Sequence, residues 1–285
     1  MSTQMKITAE HTGPISLDLS VQTGTVRVTV DPAITQAVVT VATDDDEGLV
    51  ADAIRAITST EFTRAADAWL KVTVPQIPGS SGSVQMGGSS FHFNGGVGMS
   101  VVSVDSIGVG MQMIGNDVYM GGKKVIENGR VIAATGTVVT GTGRAGTLTV
   151  DVTLPPHSSL RLSTTSASLQ VRSGDLDSLD VQTVSGSVEA QGVGRLTANT
   201  TSGSVYVDSV DTSVAVTSVS GAVEIGAYSG SSFTANSVSG AIRMTATPAA
   251  SGSVSARTVS GAIATRAATH LDVRTRSVSG RIDTR

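Results

Sequence analysis

Six Ser-Gly dipeptides in the second half of the chain fall into one column, at Gly186, Gly203, Gly221, Gly240, Gly261 and Gly280, with Ala167 as a degenerate first member. The steps between them are 19, 17, 18, 19, 21 and 19 residues, a period that marks stacked copies of one small structural unit. Seven residues before each column position stands an apolar residue that opens a short segment: "LRLST", "LDVQT", "LTANT", "VAVTS", "FTANS", "VSART" and "VRTRS". After the glycine comes a second segment of alternating character: "SVEA", "SVYV", "AVEI", "AIRM", "AIAT" and "RIDT", preceded by "SLQV" in the degenerate copy. Alternation with a period of two belongs to strands rather than helices.

Each repeat therefore holds two strands of about five residues and two corners. So little chain cannot bury an apolar face alone and has to stack on its neighbours. The predicted fold class is all-β, a single-stranded β-solenoid of about seven C-terminal coils spaced about 4.8 Å apart, with an N-terminal β-rich segment that contains a short helix. Aromatic residues make up only 3% of the chain, which suits a narrow interior of Val, Ile, Leu and Ala.

In "SVSGAI", residues 237–242, Val238 and Ile242 are expected to point inward, and Gly240 to take a positive φ or to let neighbouring backbones approach closely. The predicted core columns are Val184, Val219, Val238, Val259 and Val278 at the corner, and Val188, Val205, Val223, Ile242, Ile263 and Ile282 on the following strand. Thr183, Thr200, Ser218, Ser237, Thr258 and Ser277 also fall inward by alternation. Their hydroxyls need partners, and a hydroxyl ladder along the rod is the expected solution. Gln170, Glu189, Tyr206, Glu224, Arg243, Ala264 and Asp283 form the predicted outward column, with Glu224 and Arg243 paired across adjacent coils.

Three regions follow from these patterns. Residues 1–78 form a β-rich segment that begins the sheet system or caps it, with "LVADAIRAI" at helical spacing. Residues 79–146 are an insert rich in Gly, Ser and Met, in which "NDVYMGGKKVIENGRVI" carries hairpin signals. Residues 147–285 hold the repeats. The acidic run "DDDE" at 44–47 reads as a solvated loop, because consecutive acids on one segment cannot converge on one ion.

Chemistry-bearing constellations are scarce. "GTGRAG" at 141–146 matches the dinucleotide-binding pattern, but "TLTVDVTLPP" follows it where a helix is required. His11, His92, His157 and His270 lie in separate segments without metal-ligand spacing, and no G-x-S-x-G elbow is present. Asp175, Asp177 and Asp180 lie close together, and a carbohydrate-active β-helix enzyme would need them to converge in one groove; a turn between coils is their ordinary setting. No catalytic residue, cofactor or metal ligand is assigned.

With a formal net charge of -4 and no cysteine, the chain lacks both a basic field for nucleic acid and any thiolate metal site or disulfide. Neither a secretory leader nor an apolar membrane-spanning stretch is recognisable, so a cytoplasmic location is the expectation, with no membrane insertion and with envelope association through a partner left open. Charge is unevenly spread: residues 1–78 carry a net of -5, whereas residues 240–285 carry seven Arg against Asp272 and Asp283, a net of +5. Strand edges left open at the last coil, together with Arg274, Arg276, Arg281 and Arg285, point to end-to-end self-association or to docking of an acidic partner. The same arginines could equally act as gatekeepers that keep the rod monomeric.

"TVSGSVEA", "TTSGSVYV" and "SVSGAVEI", with the N-terminal "GTVRVTV" and "AWLKVTVP" and the lead-in "LTVDVTLPPHSSLRLSTTSASLQV", resemble a bacterial family of β-strand-repeat proteins of unknown function labelled "putative adhesin". The resemblance implies a β-solenoid, often in cell-envelope or stress-related settings, and brings no catalytic residues with it. The expected function is a non-enzymatic structural scaffold or protein-binding module, with a surface adhesin as the alternative.

Overall fold

A computed structural model describes residues 3–45, 49–64, 67–75, 83–86, 89–96, 98–104, 111–114, 117–120, 123–127, 130–131 and 147–285. The chain divides into two compact units. One comprises Gln4–Ala42, Ile54–Pro75 and Leu148–Arg285; the other comprises Met1–Thr3, Thr43–Ala53 and Gln76–Thr147.

The first unit is the β-solenoid. Each coil supplies one strand before the corner glycine and one after it, and all coil-to-coil pairing is parallel. The seven predicted coils, from 159–171 to 272–284, stack in chain order. Two further coils precede them. Ser16–Ser20 and Thr25–Val30 form a coil wedged between its neighbours: Leu17 pairs with Leu70 on one side and Leu160 on the other, and Val26 with Val150 and Leu169. The outermost coil joins Asp67–Thr73 to Leu148–Leu154. Each of its two strands pairs with the wedged coil, but the chain leaves this unit after Pro75 and returns at Leu148. Thr58–Arg64 pairs antiparallel with Asp67–Thr73 and extends the pre-corner sheet, while Val38–Thr43 and Thr3–Thr8 extend the post-corner sheet. Residues Leu49–Arg55 form the short helix, with Asp52 in its first turn and Arg55 in its last, complementing the helix dipole.

Stacked aliphatics fill the interior. Leu160, Leu179, Leu196, Val214, Phe233 and Val254 form one buried column, and Val188, Val205, Val223, Ile242 and Ile263 another. The two largest fully buried side chains, Tyr228 and Phe233, pack edge to face at 5.5 Å between ring centroids.

Two features of the corner differ from the sequence expectation, and a third decides between the two roles left open for the glycines. The valines at 184, 219, 238 and 259 are turned outward and are 46 to 50% exposed, and Val278 is 75% exposed. Alternation runs unbroken through the buried Thr183, Thr200, Ser218, Ser237 and Thr258, and this forces the next residue out. Next, Gly186, Gly203, Gly221, Gly240, Gly261 and Gly280 all lie outside the left-handed region. Their role is close approach, because a Cβ at each would collide with the backbone carbonyl of the corner residue one coil earlier.

The hydroxyl ladder also forms in a different place. The buried Thr183, Thr200, Ser237 and Thr258 hydroxyls accept from the N–H of the glycine three residues on, at 2.9 to 3.0 Å, and so cap their own turns. Thr258 and Ser277 of the inward column bond to the Val238 and Gly261 carbonyls of the previous coil, but most rungs between coils come from the exposed serines that precede each glycine. Ser185, Ser202, Ser220, Ser239 and Ser279 each donate Oγ–H to a corner carbonyl of the previous coil at 3.2 to 3.3 Å.

In the second unit, Ser83–Met86, Ser89–Gly96 and Gly98–Val104 form one antiparallel set. A second set comprises Met111–Ile114, Asp117–Met120, Lys123–Glu127 and Arg130–Val131. The "GTGRAG" segment lies outside the described residues, as does part of "DDDE".

Candidate functional site

Because the coils are in register, residues that occupy one place in the repeat become a straight column on the surface. On the post-corner face, Asp151, Arg27, Gln170, Glu189, Tyr206, Glu224, Arg243, Ala264 and Asp283 are successive register partners. Charges answer each other across this column: Arg27 lies 3.6 Å from Asp151, and Arg243 3.7 Å from Glu224. The Asp208 carboxylate, through a hydrogen bond and its charge, raises the pKa of the exposed Tyr206 phenol, with Glu224 adding to the effect.

The pre-corner face is of different character. Beside the corner its outward column runs Ser163, Gln182, Asn199, Thr217, Asn236, Arg257 and Arg276: hydroxyls and amides, then two arginines. Next to it stands the ridge of outward valines. A shallow depression of about 670 Å³ follows this border, lined in part by Ser20, Gln22, Gln182, Asn199, Thr201 and Thr217. Such a surface offers hydrogen-bond donors and acceptors beside a rigid aliphatic edge. The ridge was not anticipated, and the ladder was expected on other residues; carrying strict alternation from Thr183 into Val184 would have found the ridge.

The three aspartates considered for catalysis take separate partners. Asp177 meets His157 Nδ1 at 3.2 Å, Asp180 accepts from Arg161 Nε at 3.1 Å, and Asp175 lies against the backbone of Gly192. They sit along the strand Ser168–Thr183 rather than in a turn, just past a bend where the coil-to-coil register shifts between Val171 and Asp175.

The histidines stay apart as well. His11 donates its backbone N–H to Glu61, His157 occupies a left-handed conformation (φ 62°), and His270 approaches the Ala250 carbonyl at 3.2 Å. The His92 side chain lies outside the described residues. Among the described residues no group of three or more His, Asp or Glu is placed to hold a metal ion, and no helix is long and apolar enough to cross a membrane.

The four end-docking arginines share the last coil. Arg274 is held by Asp272 and Arg285 by Asp283, each at 3.0 Å. Arg276 stands beside Arg257 on the pre-corner face, while Arg281 is exposed at the corner and its backbone carbonyl accepts from Ile263 N–H.

Comparison with curated proteins gives no match. Among solved structures the chain is similar to a "putative cell adhesion protein" from Clostridium sporogenes, at 10% identity over 100% of this chain and 99% of that one, with a TM-score of 0.37. It is also similar to a "putative adhesin" from Parabacteroides merdae, at 10% identity over 100% and 96% of the two chains with a TM-score of 0.39. A "putative adhesin" from Bacteroides fragilis shows 11% identity over 99% and 97%, with a TM-score of 0.35. A family model, Toastrack DUF4097, matches residues 121–285, which contain the seven coils read from the sequence. With more than half its length matched, and with the stacked Ser-Gly corners lying inside that stretch, the chain belongs to the Toastrack DUF4097 family.

Proposed function

We propose that the chain is a non-enzymatic binding scaffold whose contact surface is the pre-corner face of the solenoid and the valine ridge beside it. The observation that carries this reading is the half-exposed Val219, Val238 and Val259 on successive coils, with Val184 beyond Thr201 on the same line, on corners that hydrogen bonds tie to their neighbours. Clustered apolar side chains on a rigid, exposed edge favour association. An adhesin is one use of such a surface, and a cytoplasmic scaffold another.

Beads coated with the purified chain test the reading through their retention on bacterial cell walls. Coated beads are expected to be retained, and beads carrying Val219→Asp/Val238→Asp to be lost. Retention no better than that of bare beads overturns the proposal.

Self-association end to end is a second reading. In the last coil Ile282 is 42% exposed, whereas Ile263, its register partner, is 1% exposed, so a second copy stacked there would bury it. Light scattering over a range of protein and salt concentrations tests this; a concentration-independent monomer removes it.

A further inference from the structure

We infer that the C-terminal part of the pre-corner face binds an acidic polysaccharide, a chain of carboxylate-bearing sugars laid along the solenoid axis. This rests on the binding-scaffold reading and names its ligand class.

Where charged residues are register partners on neighbouring coils of the solenoid, they are opposite in sign. Arg161 has Asp180, Arg27 has Asp151, Arg243 has Glu224, and Asp18 stands in register between Lys71 and Arg161. Arg257 and Arg276 break the pattern. They are direct register partners on adjacent parallel strands, both exposed, and among the described residues no carboxylate pairs with either.

Like charges placed side by side destabilise a sheet, and a departure from an otherwise consistent rule points to use. An anion set between two guanidinium forks removes the repulsion and gains paired charge-assisted hydrogen bonds, for which carboxylate has the matching planar geometry.

What lies next to the pair selects the rest of the ligand. The column continues through Asn236, Thr217, Asn199 and Gln182, uncharged groups that both donate and accept, as sugar hydroxyls require. The valine ridge alongside offers an aliphatic wall to the C–H faces of sugars. Coils recur about every 4.8 Å, comparable to the advance of one sugar in an extended glycan, so that successive sugars meet successive coils. A nucleic acid would call for more cationic charge along the whole track and for stacking aromatics, neither of which this column provides.

Calorimetric titration of the full chain with polygalacturonate, and with its fully methyl-esterified form, tests the assignment. The acidic form is expected to bind, and the ester to bind at least about tenfold more weakly. Arg257→Gln/Arg276→Gln should lower affinity for the acidic form by about tenfold and leave the ester unaffected. Asn199→Ala/Thr217→Ala should weaken both. Thermal melts of each variant confirm that the fold persists, since all four side chains are exposed.

No binding of polygalacturonate, undiminished binding by the arginine double variant, or competition by duplex DNA as effective as that of the glycan overturns the proposal. If coated beads still hold to cell walls while polygalacturonate fails to bind, this ligand is removed and the scaffold reading stands; if both fail, both are removed.

Discussion

The Cα of Gly240 packs against the carbonyl oxygen of Gly221, one coil earlier, leaving no room for a side chain between them. The same approach recurs from Gly186 to Gly280, so the glycine column sets how closely the coils stack at that corner. Gly240→Ala should therefore destabilise the protein by about 1–3 kcal/mol, the range typical of overpacking, because backbone rather than a flexible side chain has to yield. Gly280→Ala should cost less, since its coil is partly exposed and freer to shift. Urea denaturation of both variants measures the difference; equal and negligible effects would show that the corner is soft.

Thr200 and Ser202 lie two residues apart and do different work. The buried Thr200 hydroxyl is the acceptor for Gly203 N–H at 2.9 Å, and Thr200→Val leaves that donor unpaired at a cost of about 1–3 kcal/mol. Thr200→Ser should restore most of it. Ser202 donates to a Val184 carbonyl that already accepts the Ser202 N–H, so Ser202→Ala should stay within about 0.5 kcal/mol.

Val238 and Ile242 separate ridge from core. Ile242 is fully buried, and Ile242→Ala should cost about 2–5 kcal/mol. With half its surface in water, Val238→Thr should change stability by less than about 0.5 kcal/mol. Chemical denaturation of the two variants checks the assignment of sides.

Period and offset were enough to read seven coils, their two strands each and the outward column, including the Glu224–Arg243 partnership, because one glycine per coil carries the register. The corner was harder. Placing both Thr183 and Val184 inside let hydrophobicity outweigh the pleat, yet the buried hydroxyl satisfies a turn N–H that a valine cannot. The first two coils were not legible as coils. Their strands "WLKVTVP" and "TLTVDV" belong together in space but are parted by the insert, and periodicity detects only neighbours that are also near in sequence. The proposed contact surface was not legible for the same reason as the ridge: it consists of outward positions that come side by side only when the pre-corner strands stack.

Glu224 and Arg243, about half exposed and 3.7 Å apart, should show a coupling of about 0.2–1 kcal/mol in a double-mutant cycle. The coupling should shrink in high salt, where exposed charges are screened. A salt-independent value would mean that packing rather than charge joins them.

Tyr228 provides an alkaline signature. Burial pushes its phenol up to about 12, against about 10 in an unfolded chain. The folded state therefore holds the proton more tightly; the stabilisation is fully present below about pH 10 and is lost as pH rises towards 12. Tyr228→Phe should flatten that part of the stability profile. It should also cost little at neutral pH, since the buried hydroxyl lacks a hydrogen-bond partner. Melting temperatures recorded between neutral and strongly alkaline pH decide it.

The wedged coil at 16–30 bears on how the protein is made. Val26 finds its two partners, Val150 and Leu169, only after the whole intervening segment has left the ribosome, so early-synthesised strands must wait for late ones. Assembly cannot advance steadily from the amino terminus. The self-contained stack from residue 178 onward is where ordered winding can start without help from distant sequence, and the amino-terminal strands then slot onto a template that was translated after them.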